Sequence, residues 1–505
     1  MKRTSSKLRT FKFFAFLALI PLAWTTGCME GSYDIGTDGY YGGAPEARTD
    51  SHNDFGENQF IDAAEENTST FSIDVNTASY TIMRRDLNAG RLPVPESVRT
   101  EEYINFFDYD YRTPQEGPFS LHTEVARSHF GSTEDQVRHL MRIAFHAPEI
   151  SHEDMKPTNL VFLVDVSGSM NLDDRLPLAQ KSMHVMLDYL RPNDTIAMQT
   201  YASGSDTVLE PTPVADRASI EEAIDSLVAA GATHAEGGII DAYDMAEQAF
   251  IEGGNNRVVI LTDGDFNVGK TGDDLVEMVK SYRDRQISLT SVGYGHGGYN
   301  DATMEELARR GNGNYFYIDT ADEAKRIFGT DLPSTIQVIA HDVRTQVEFN
   351  ADVVNQYRLV GYEKRVMDNE DFADEETNAG ELGPGHSLTA FYELELQEGG
   401  LHDDAGALAE VAVRYKESYG EETKEISNFV SADPNVVDRE FSEARDDFRF
   451  AAAVAQFAGI LRESQYVNGA NFAEIHAIAK DAFDEEDVQK QEFLELVMKA
   501  SALWD

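Results

Sequence analysis

Five side chains that carry oxygen ligands follow apolar segments at three widely separated points of the chain. Asp165, Ser167 and Ser169 come after the apolar run "LVFLV" and form the pattern D-x-S-x-S. Thr233 lies in "GATHAEGG", and Asp263 follows the apolar run "VVILT". A carboxylate at the end of a buried strand is costly unless a cation or hydrogen bonds compensate it. Oxygen ligands without Cys or His suit Mg²⁺, Mn²⁺ or Ca²⁺ better than Zn²⁺.

The charge of these five groups predicts how a bound ion would behave. Only Asp165 and Asp263 are anionic, and with three hydroxyls they make five oxygen ligands, so a divalent cation that needs six keeps water in at least one position. A carboxylate from outside can replace that water. We therefore expect a site for Mg²⁺, with Mn²⁺ or Ca²⁺ as alternatives, that binds an Asp or Glu side chain of a partner protein. D-x-S-x-S alone also fits a capped turn, but Thr233 and Asp263 favour the metal site.

The elements that must position these residues alternate between residues 158 and 330. Continuous apolar strands followed by helical stretches predict an α/β fold, which is a doubly wound, mainly parallel sheet covered by helices on both faces. Ligands of such sheets bind beyond the carboxyl ends of the strands, where Asp165 and Asp263 are expected. The predicted strands are Leu160–Val166, Thr195–Tyr201, Arg257–Thr262, Ile287–Val292 and Tyr315–Ile318.

Composition divides the rest of the chain into further segments. Strand-like alternation occurs on both sides of the α/β unit, so we predict that residues 119–148 and 332–416 pair in one β-sandwich, with the α/β domain inserted at its edge. The helical pattern near the end predicts a C-terminal helical region. The predicted segments are a signal peptide at 1–27, a flexible tether at 28–70, an N-terminal flank at 71–157, the α/β domain at 158–330, a β-rich domain at 331–430 and a helical region at 431–505.

The N-terminus has the pattern of a secretory signal. Five basic residues precede "FFAFLALIPLAW", and "TTGCME" follows. Cys28 is the only cysteine, so no internal disulfide can form. A lone cysteine after such a segment resembles the bacterial lipoprotein signal, whose cysteine is lipidated. We expect an exported lipoprotein of the cell envelope that is attached to a membrane through lipidated Cys28, in the outer membrane, facing the periplasm or at the cell surface. A secreted protein with an incidental cysteine is the alternative.

The net charge of −48 argues against several kinds of partner. Nucleic acid binding needs basic patches, so no nucleic acid partner is expected. The stretch "GYGHGG" fits G-x-G-x-x-G through Gly293, Gly295 and Gly298, but no dinucleotide-binding unit follows it. A turn after a strand accounts for these glycines better, and no nucleotide partner is expected.

The five oxygen-bearing residues also resemble a known family. D-x-S-x-S, the Thr loop and the later T-D-G are similar to the metal-ion-dependent adhesion site of von Willebrand factor A domains. The resemblance implies that Asp165, Ser167 and Ser169 hold the ion directly or through water. It also implies that Thr233 joins when ligand binds and that Asp263 acts largely through water. Stretches from "FSIDVNTASYTIMRRDLNAGRLP" to "GHSLTAFYEL" resemble a bacterial subfamily with characteristic flanks on both sides of the A domain.

Two other functions remain open at this level. A structural envelope lipoprotein, in which the metal only stabilises the fold, would use the same residues. A Mg²⁺-dependent phosphohydrolase would use Asp263 and Asp265 of "DGDFN", with the first Asp as nucleophile. This motif lies on a late strand, however, and the A-domain resemblance explains Asp263 without it. We therefore expect a binding protein and no enzyme.

Overall fold

An α/β layer, a β-sandwich and a helical region make up the part of the chain that the computed structural model describes. This part is residues 50–504 except 133–136, 234, 265–271, 376, 403–404, 468, 470 and 484–485. The predicted signal segment, Cys28 and Asp265 lie outside the described residues. The described residues belong to one compact unit. Among the described helices, none has the length and apolar content needed to cross a bilayer.

The elements follow one another in three groups. The N-terminal flank contains β1 (Ile61–Asp62), β2 (Thr68–Ser72), α1 (Ala78–Asn88), α2 (Thr100–Ile104), β3 (Ser120–Arg127) and β4 (Arg138–His146). The α/β domain contains β5 (Thr158–Asp165), α3 (Leu176–Tyr189), β6 (Thr195–Tyr201), β7 (Ser205–Pro213), α4 (Arg217–Ser226), α5 (Glu236–Gln248), β8 (Asn255–Thr262), α6 (Gly272–Arg283), β9 (Ser288–Tyr294), α7 (Asp301–Arg310), β10 (Tyr315–Ile318), α8 (Ala321–Lys325) and α9 (Leu332–Ile336). The C-terminal part contains β11 (Ala340–Phe349), β12 (Val354–Val360), β13 (Val366–Met367), β14 (Gly380–Leu382), β15 (Ser387–Leu396), β16 (Ala407–Lys416), β17 (Lys424–Ser431), α10 (Pro434–Val437), α11 (Asp446–Leu461), α12 (Phe472–Asp481) and α13 (Val488–Trp504).

The sheet of the α/β domain has the order β10-β9-β8-β5-β6-β7. Every pair is parallel except β6–β7, which is antiparallel. Each residue of the central strands β5 and β8 is buried, because helices cover both faces. Alternate residues of β5 therefore contribute to two different cores, with Phe162 in one and Leu163 in the other. The predicted doubly wound sheet is confirmed, whereas strand β7 was missed because its residues are partly exposed at the sheet edge.

The two flanks form one sandwich across the inserted domain. Strands β4 and β15 pair antiparallel, with Ile143 opposite Ala390, inside a sheet of order β1-β12-β15-β4-β3. The second sheet has the order β13-β2-β11-β16-β17, and β14 adds to β11. Val125 and Ile143 share one hydrophobic core with Val347 and Val411 of the facing sheet. The predicted sandwich of both flanks is therefore present.

The end of the predicted tether belongs to the folded body. Strand β2 pairs with β11, and β1 pairs with β12, so the prediction of a flexible segment up to residue 70 was wrong for residues 50–70. These residues are held mainly by main-chain and polar contacts. Asn58, for example, donates to the carbonyl oxygens of Leu359 and Gly361. Such contacts leave no apolar periodicity in the sequence.

Helix α1 precedes the sandwich in sequence but packs on the α/β domain. Ala78 and Ile82 lie in the core on one face of the parallel sheet. The Thr81 hydroxyl donates to the carbonyl oxygen of Tyr317 in β10 at 2.8 Å. The helix ends at Asn88, and Gly90 just beyond it has φ +72°. The N-terminal flank thus supplies one of the helices that cover the α/β domain.

Residues 50–58, here called the strap, run over the surface of the folded body and start in a nest of backbone N–H groups. Asp50 Oδ1 accepts from the N–H groups of Gly297, Gly298 and Tyr299 at 2.9, 3.0 and 3.0 Å. Arg85 pairs with Asp50 Oδ2 at 2.9 Å. Burial raises the pKa of Asp50, but the Arg85 charge and these N–H donors lower it by a larger amount. The net pKa therefore lies below the usual range of an aspartate. The glycine-rich loop predicted as a turn therefore binds a carboxylate of the same chain.

Asp50→Ala is expected to release the beginning of the strap. A charged acceptor with several donors contributes on the order of 1.5–3 kcal/mol, so amide hydrogens of 51–52 and 297–299 should exchange about 10- to 100-fold faster. Hydrogen exchange followed by mass spectrometry measures this rate. Asp54→Ala is the matched control, because exposed Asp54 accepts only from the nearby Gly56 N–H. Unchanged protection in Asp50→Ala would show that the nest does not hold the strap.

Candidate metal centre

Adjacent strands bring the two predicted carboxylates to one edge of the sheet. Asp165 is the last residue of β5, and Asp263 directly follows β8. These strands are parallel neighbours with Val164 opposite Leu261. The two aspartates therefore leave the sheet side by side at its carboxyl end, although they are far apart in sequence. Both are buried, with exposed fractions of 0% for Asp165 and 4% for Asp263.

Asp165 is compensated by neutral groups only. Its Oδ1 accepts from the N–H of Ser167 at 2.8 Å. Its Oδ2 accepts from the hydroxyls of Thr262 at 2.8 Å and Tyr201 at 3.2 Å. None of the described basic side chains pairs with it. Burial raises the pKa of Asp165 to about 6; the Ser167 N–H opposes this increase and the Asp263 charge adds to it. A buried carboxylate in this state fits a cation beside it.

The hydroxyl ligands lie in two loops that touch each other. Ser167 Oγ and Ser169 Oγ are 2.9 Å apart on a short 3₁₀ turn after β5. The loop between α4 and α5 joins this turn through two backbone hydrogen bonds, Gly168 N–H to Gly231 O at 3.0 Å and Ala230 N–H to Val166 O at 2.7 Å. Thr233 follows in this loop and is half-buried. Its hydroxyl makes no hydrogen bond to any other described residue, so it is available as a ligand.

Arg175 is a residue of this site that the sequence reasoning missed. Its guanidinium pairs with Asp263 and also donates to the carbonyl oxygens of Ser169 at 2.9 Å and His296 at 2.6 Å. Arg175 thereby ties together the loops after β5, β8 and β9. Because the Arg175 guanidinium engages one oxygen of Asp263, that oxygen is disfavoured as a direct metal ligand. This agrees with the family resemblance, which implies that Asp263 acts on the metal through water. The only sequence signal was a basic residue six positions after the D-x-S-x-S motif.

Arg175→Ala is expected to destabilise the metal-free protein by about 3–5 kcal/mol, because it removes a cation that pairs with the buried Asp263 carboxylate. In saturating Mg²⁺ the loss should be smaller, since a bound ion would take over part of this compensation. Urea unfolding with EDTA and with Mg²⁺ measures both values. The control is Arg217→Ala, whose exposed ion pairs with Asp188 and Glu221 contribute little. Equal losses with EDTA and with Mg²⁺ would count against a metal ion bound beside Asp263.

A second group of carboxylates has its own cations. Asp74, Glu102 and Glu305 each place one oxygen within 4.8 Å of the others, and all three are buried. Lys364 pairs with both glutamates, and Arg365 pairs with Asp74 at 2.8 Å. These basic side chains neutralise the group where α2 meets α7. The arrangement is a buried ion-pair network between the flank and the α/β domain and provides no reason to add a metal.

Asp165, Ser167, Ser169 and Asp263 thus lie together with the Thr233 loop at one edge of the sheet. The chain around them matches known families. Residues 159–330 match the von Willebrand factor type A domain, and residues 46–138 match a second family described as von Willebrand factor. Residues 334–503 match the family described as the C-terminal region of the uncharacterized protein YfbK.

Three similar proteins illustrate how far the likeness extends. The uncharacterized protein YfbK of Escherichia coli (strain K12) is 36% identical over 482 residues, which are 90% of this chain and 82% of that protein. Inter-alpha-trypsin inhibitor heavy chain H3 of Mesocricetus auratus is 26% identical over 214 residues, or 40% of this chain and 24% of that protein. A solved von Willebrand factor type A structure from Catenulispora acidiphila is 15% identical, covers 78% of this chain and 97% of its own, and has a TM-score of 0.44. The chain therefore belongs to the bacterial von Willebrand factor type A proteins related to YfbK, in which flanking regions surround the A domain.

Proposed function

We propose that this protein binds a partner protein through a divalent cation at the edge of its A domain. Asp165, Ser167, Ser169 and Thr233 would hold Mg²⁺, with Mn²⁺ or Ca²⁺ as substitutes, and Asp263 would act through water. A carboxylate of the partner, from Asp or Glu, would complete the coordination. One observation carries the proposal, namely the fully buried Asp165 carboxylate that no described basic side chain compensates. A domains commonly mediate protein–protein contacts and often bind a divalent metal.

The donor set explains why the ligand should be acidic. Hard cations such as Mg²⁺ require six oxygen ligands. With Asp263 acting through water, Asp165 is the one directly bound carboxylate, which leaves one positive charge on the ion to be neutralised. The Arg175 guanidinium beside Asp263 adds to this positive charge. An incoming carboxylate therefore gains more from the site than a neutral ligand does. The free hydroxyl of Thr233 can join the ion without breaking a contact with another described residue.

Thr233→Ala tests the difference between a binding metal and a structural one. The protein is loaded with Mn²⁺ and titrated with a short Asp-containing peptide, and water proton relaxation reports the displacement of metal-bound water. The variant should take up Mn²⁺ within about threefold of the original protein but bind the peptide at least about tenfold more weakly, equal to 1.4 kcal/mol.

Thr212→Ala serves as the control for this experiment, because the Thr212 hydroxyl only donates to a nearby carbonyl oxygen on the edge strand β7. Peptide binding by Thr233→Ala at the original strength would contradict the adhesive role. It would instead favour the alternative of an envelope protein whose metal only stabilises the fold.

The proposed role is binding and not catalysis. A phosphohydrolase would need Asp263 as a nucleophile, but Arg175 engages one of its carboxylate oxygens, and an oxygen tied to a guanidinium is a poorer nucleophile. Hydrolysis of a phosphate ester that disappears in both Asp263→Asn and Asp265→Asn would overturn this part of the proposal.

The protein would act from the cell envelope, held to a membrane by a lipid on Cys28. The support is the sequence pattern around Cys28, which places the anchor 22 residues before the strap. Mass spectrometry of the membrane-extracted protein should find a diacylated or triacylated N-terminal cysteine. An unmodified Cys28 would contradict the anchor and leave the metal site unaffected.

A further inference from the structure

A cavity of about 230 Å³ lies next to the buried ion-pair network and includes Lys364 of that network in its lining. It is enclosed by the strap, the segment before α2, the turn after β12 and the end of α11. Asn53 to Glu57 form one wall, and Arg462 to Ser464 form another. Neither the metal centre nor the proposed acidic ligand involves any residue of this cavity.

Glu101 lines this cavity with a carboxylate that is only half satisfied. The residue is 1% exposed. Its Oε2 accepts from the N–H of Tyr362 at 3.0 Å, whereas its Oε1 has no hydrogen-bond partner among the described residues. A buried acceptor without a partner costs on the order of 1–3 kcal/mol. Such an oxygen can accept a hydrogen bond from a ligand that reaches it.

The turn that donates to Glu101 has an unusual backbone conformation. Gly361 and Tyr362 have φ +74° and +62°, so two successive residues occupy the left-handed region. For a residue with a side chain this conformation costs on the order of 1–3 kcal/mol. A Cβ at Gly361 would lie 2.8 Å from Glu101 Oε2. The turn therefore needs glycine here to bring the Tyr362 N–H to the carboxylate.

The basic side chains beside the cavity are already engaged by other carboxylates. Arg99 pairs with Glu102 and Asp301. Lys364 pairs with Glu102 and Glu305, and Arg462 pairs with Glu363. Burial and the Glu363 charge raise the pKa of Glu101 to about 7. The Lys364 charge opposes this increase without cancelling it, so a negative charge at Glu101 is only partly balanced by the described chain.

The shape of the site favours an organic cation over a metal ion. Among the described residues, the only acidic trio with the spacing of metal ligands is the neutralised network of Asp74, Glu102 and Glu305, so Glu101 offers a single oxygen. A divalent ion requires several. The exposed Phe55 ring borders the cavity and already lies 5.5 Å from the Lys364 ammonium. Aromatic faces attract ammonium groups in this way.

We propose that this cavity binds a primary ammonium group on an alkyl chain, with the charge at Glu101 Oε1 and the chain along Phe55. The ammonium would come either from a lysine side chain of a partner protein or from a free alkylamine. An acidic protein attracts both through its overall charge.

Calorimetry at pH 8 and low salt tests this site in the complete protein. The probes are n-butylamine and Nα-acetyl-lysine N-methylamide, and n-butanol is the neutral control. EDTA is present throughout, so the result does not depend on the metal centre. At least one amine should bind with 1:1 stoichiometry, whereas n-butanol should not. Tighter binding of the capped lysine indicates a partner side chain, and tighter binding of butylamine indicates a free amine.

Two variants locate the binding. Glu101→Gln keeps an acceptor for the Tyr362 N–H but removes the charge, and it should weaken amine binding at least tenfold. Phe55→Ala lies on the exposed strap and should weaken binding about two- to fivefold; it remains informative if Glu101→Gln fails to fold. The exposed Glu422→Gln should leave binding unchanged. If neither amine binds the original protein, or if both variants bind as it does, the proposal is overturned.

Discussion

Asp165→Asn is expected to abolish the uptake of Mg²⁺ and, at the same time, to stabilise the metal-free protein at pH 8. Asn keeps the acceptor for the Ser167 N–H but removes the buried charge. The pKa of about 6 corresponds to a cost of about 3 kcal/mol for ionised Asp165 relative to an ordinary aspartate. Urea unfolding in EDTA should show a gain of this order in the variant. At a Mg²⁺ concentration of a hundred times its Kd, the free energy of unfolding of the original protein should rise by about 2.7 kcal/mol. That of the variant should not change.

The pH dependence gives the same prediction a second test. The folded-state pKa of Asp165 lies above the value of 3.8 for a free aspartate, so its contribution to stability is complete below about pH 4. As the pH rises from 4 to 6, the unfolded chain loses the proton first, and the metal-free protein becomes less stable. Asp165→Asn should lack this loss. Stability curves of both proteins in EDTA between pH 4 and 8 measure the difference.

A buried aspartate with its own cation is the matched control for Asp165. Asp194 is 2% exposed, pairs with Arg191 at 3.0 Å and accepts from the N–H of Thr158 at 2.9 Å. Asp194→Asn should destabilise the protein by a similar amount with EDTA and with Mg²⁺. If Asp165→Asn behaves in the same way, or if it retains calorimetric Mg²⁺ binding, Asp165 does not hold a metal and the proposed function fails with it.

Arg84→Met is expected to lower the free energy of unfolding by about 3–5 kcal/mol, the usual effect of removing one partner from a buried ion network. Arg84 is 6% exposed. It donates to both oxygens of Asp319, at 2.6 and 2.8 Å, and to Glu323 at 3.0 Å and Glu492 at 3.2 Å. These acids lie after β10, in α8 and in α13. One guanidinium thus joins the N-terminal flank, the A domain and the C-terminal helices. Met would take this cation from all three acids, although Glu323 would keep its pair with Arg326.

Urea unfolding followed by circular dichroism measures the effect of Arg84→Met. Arg91→Met is the control, because the Arg91 side chain is 52% exposed and pairs only with Asp86; its effect should stay within about 0.5 kcal/mol. Faster amide exchange in α13 of the Arg84 variant would show that the C-terminal helices loosen from the A domain. If both variants unfold alike, Arg84 does not hold the three regions together.

Local patterns in the sequence predicted most of the elements and named the candidate ligands. Strands β6 and β10 have the bounds that their sequence runs predicted, because a strand buried on both faces is predominantly apolar along its length. Asp165 and Asp263 stand out for the same reason, as charges that end such runs. The sandwich could be foreseen because strands of both flanks alternate between polar and apolar residues.

The tertiary structure decided which charges meet. Asp263 is paired with Arg175, Asp50 occupies the N–H nest of a distant loop, and Glu101 keeps one oxygen without a partner among the described residues. None of these contacts has a period or a spacing, since the partners come from different elements and their distance is set by how the sheets and helices pack. Hydrophobic periodicity reports burial along a short window of chain, whereas the compensation of a buried charge depends on residues that may stand anywhere in the sequence.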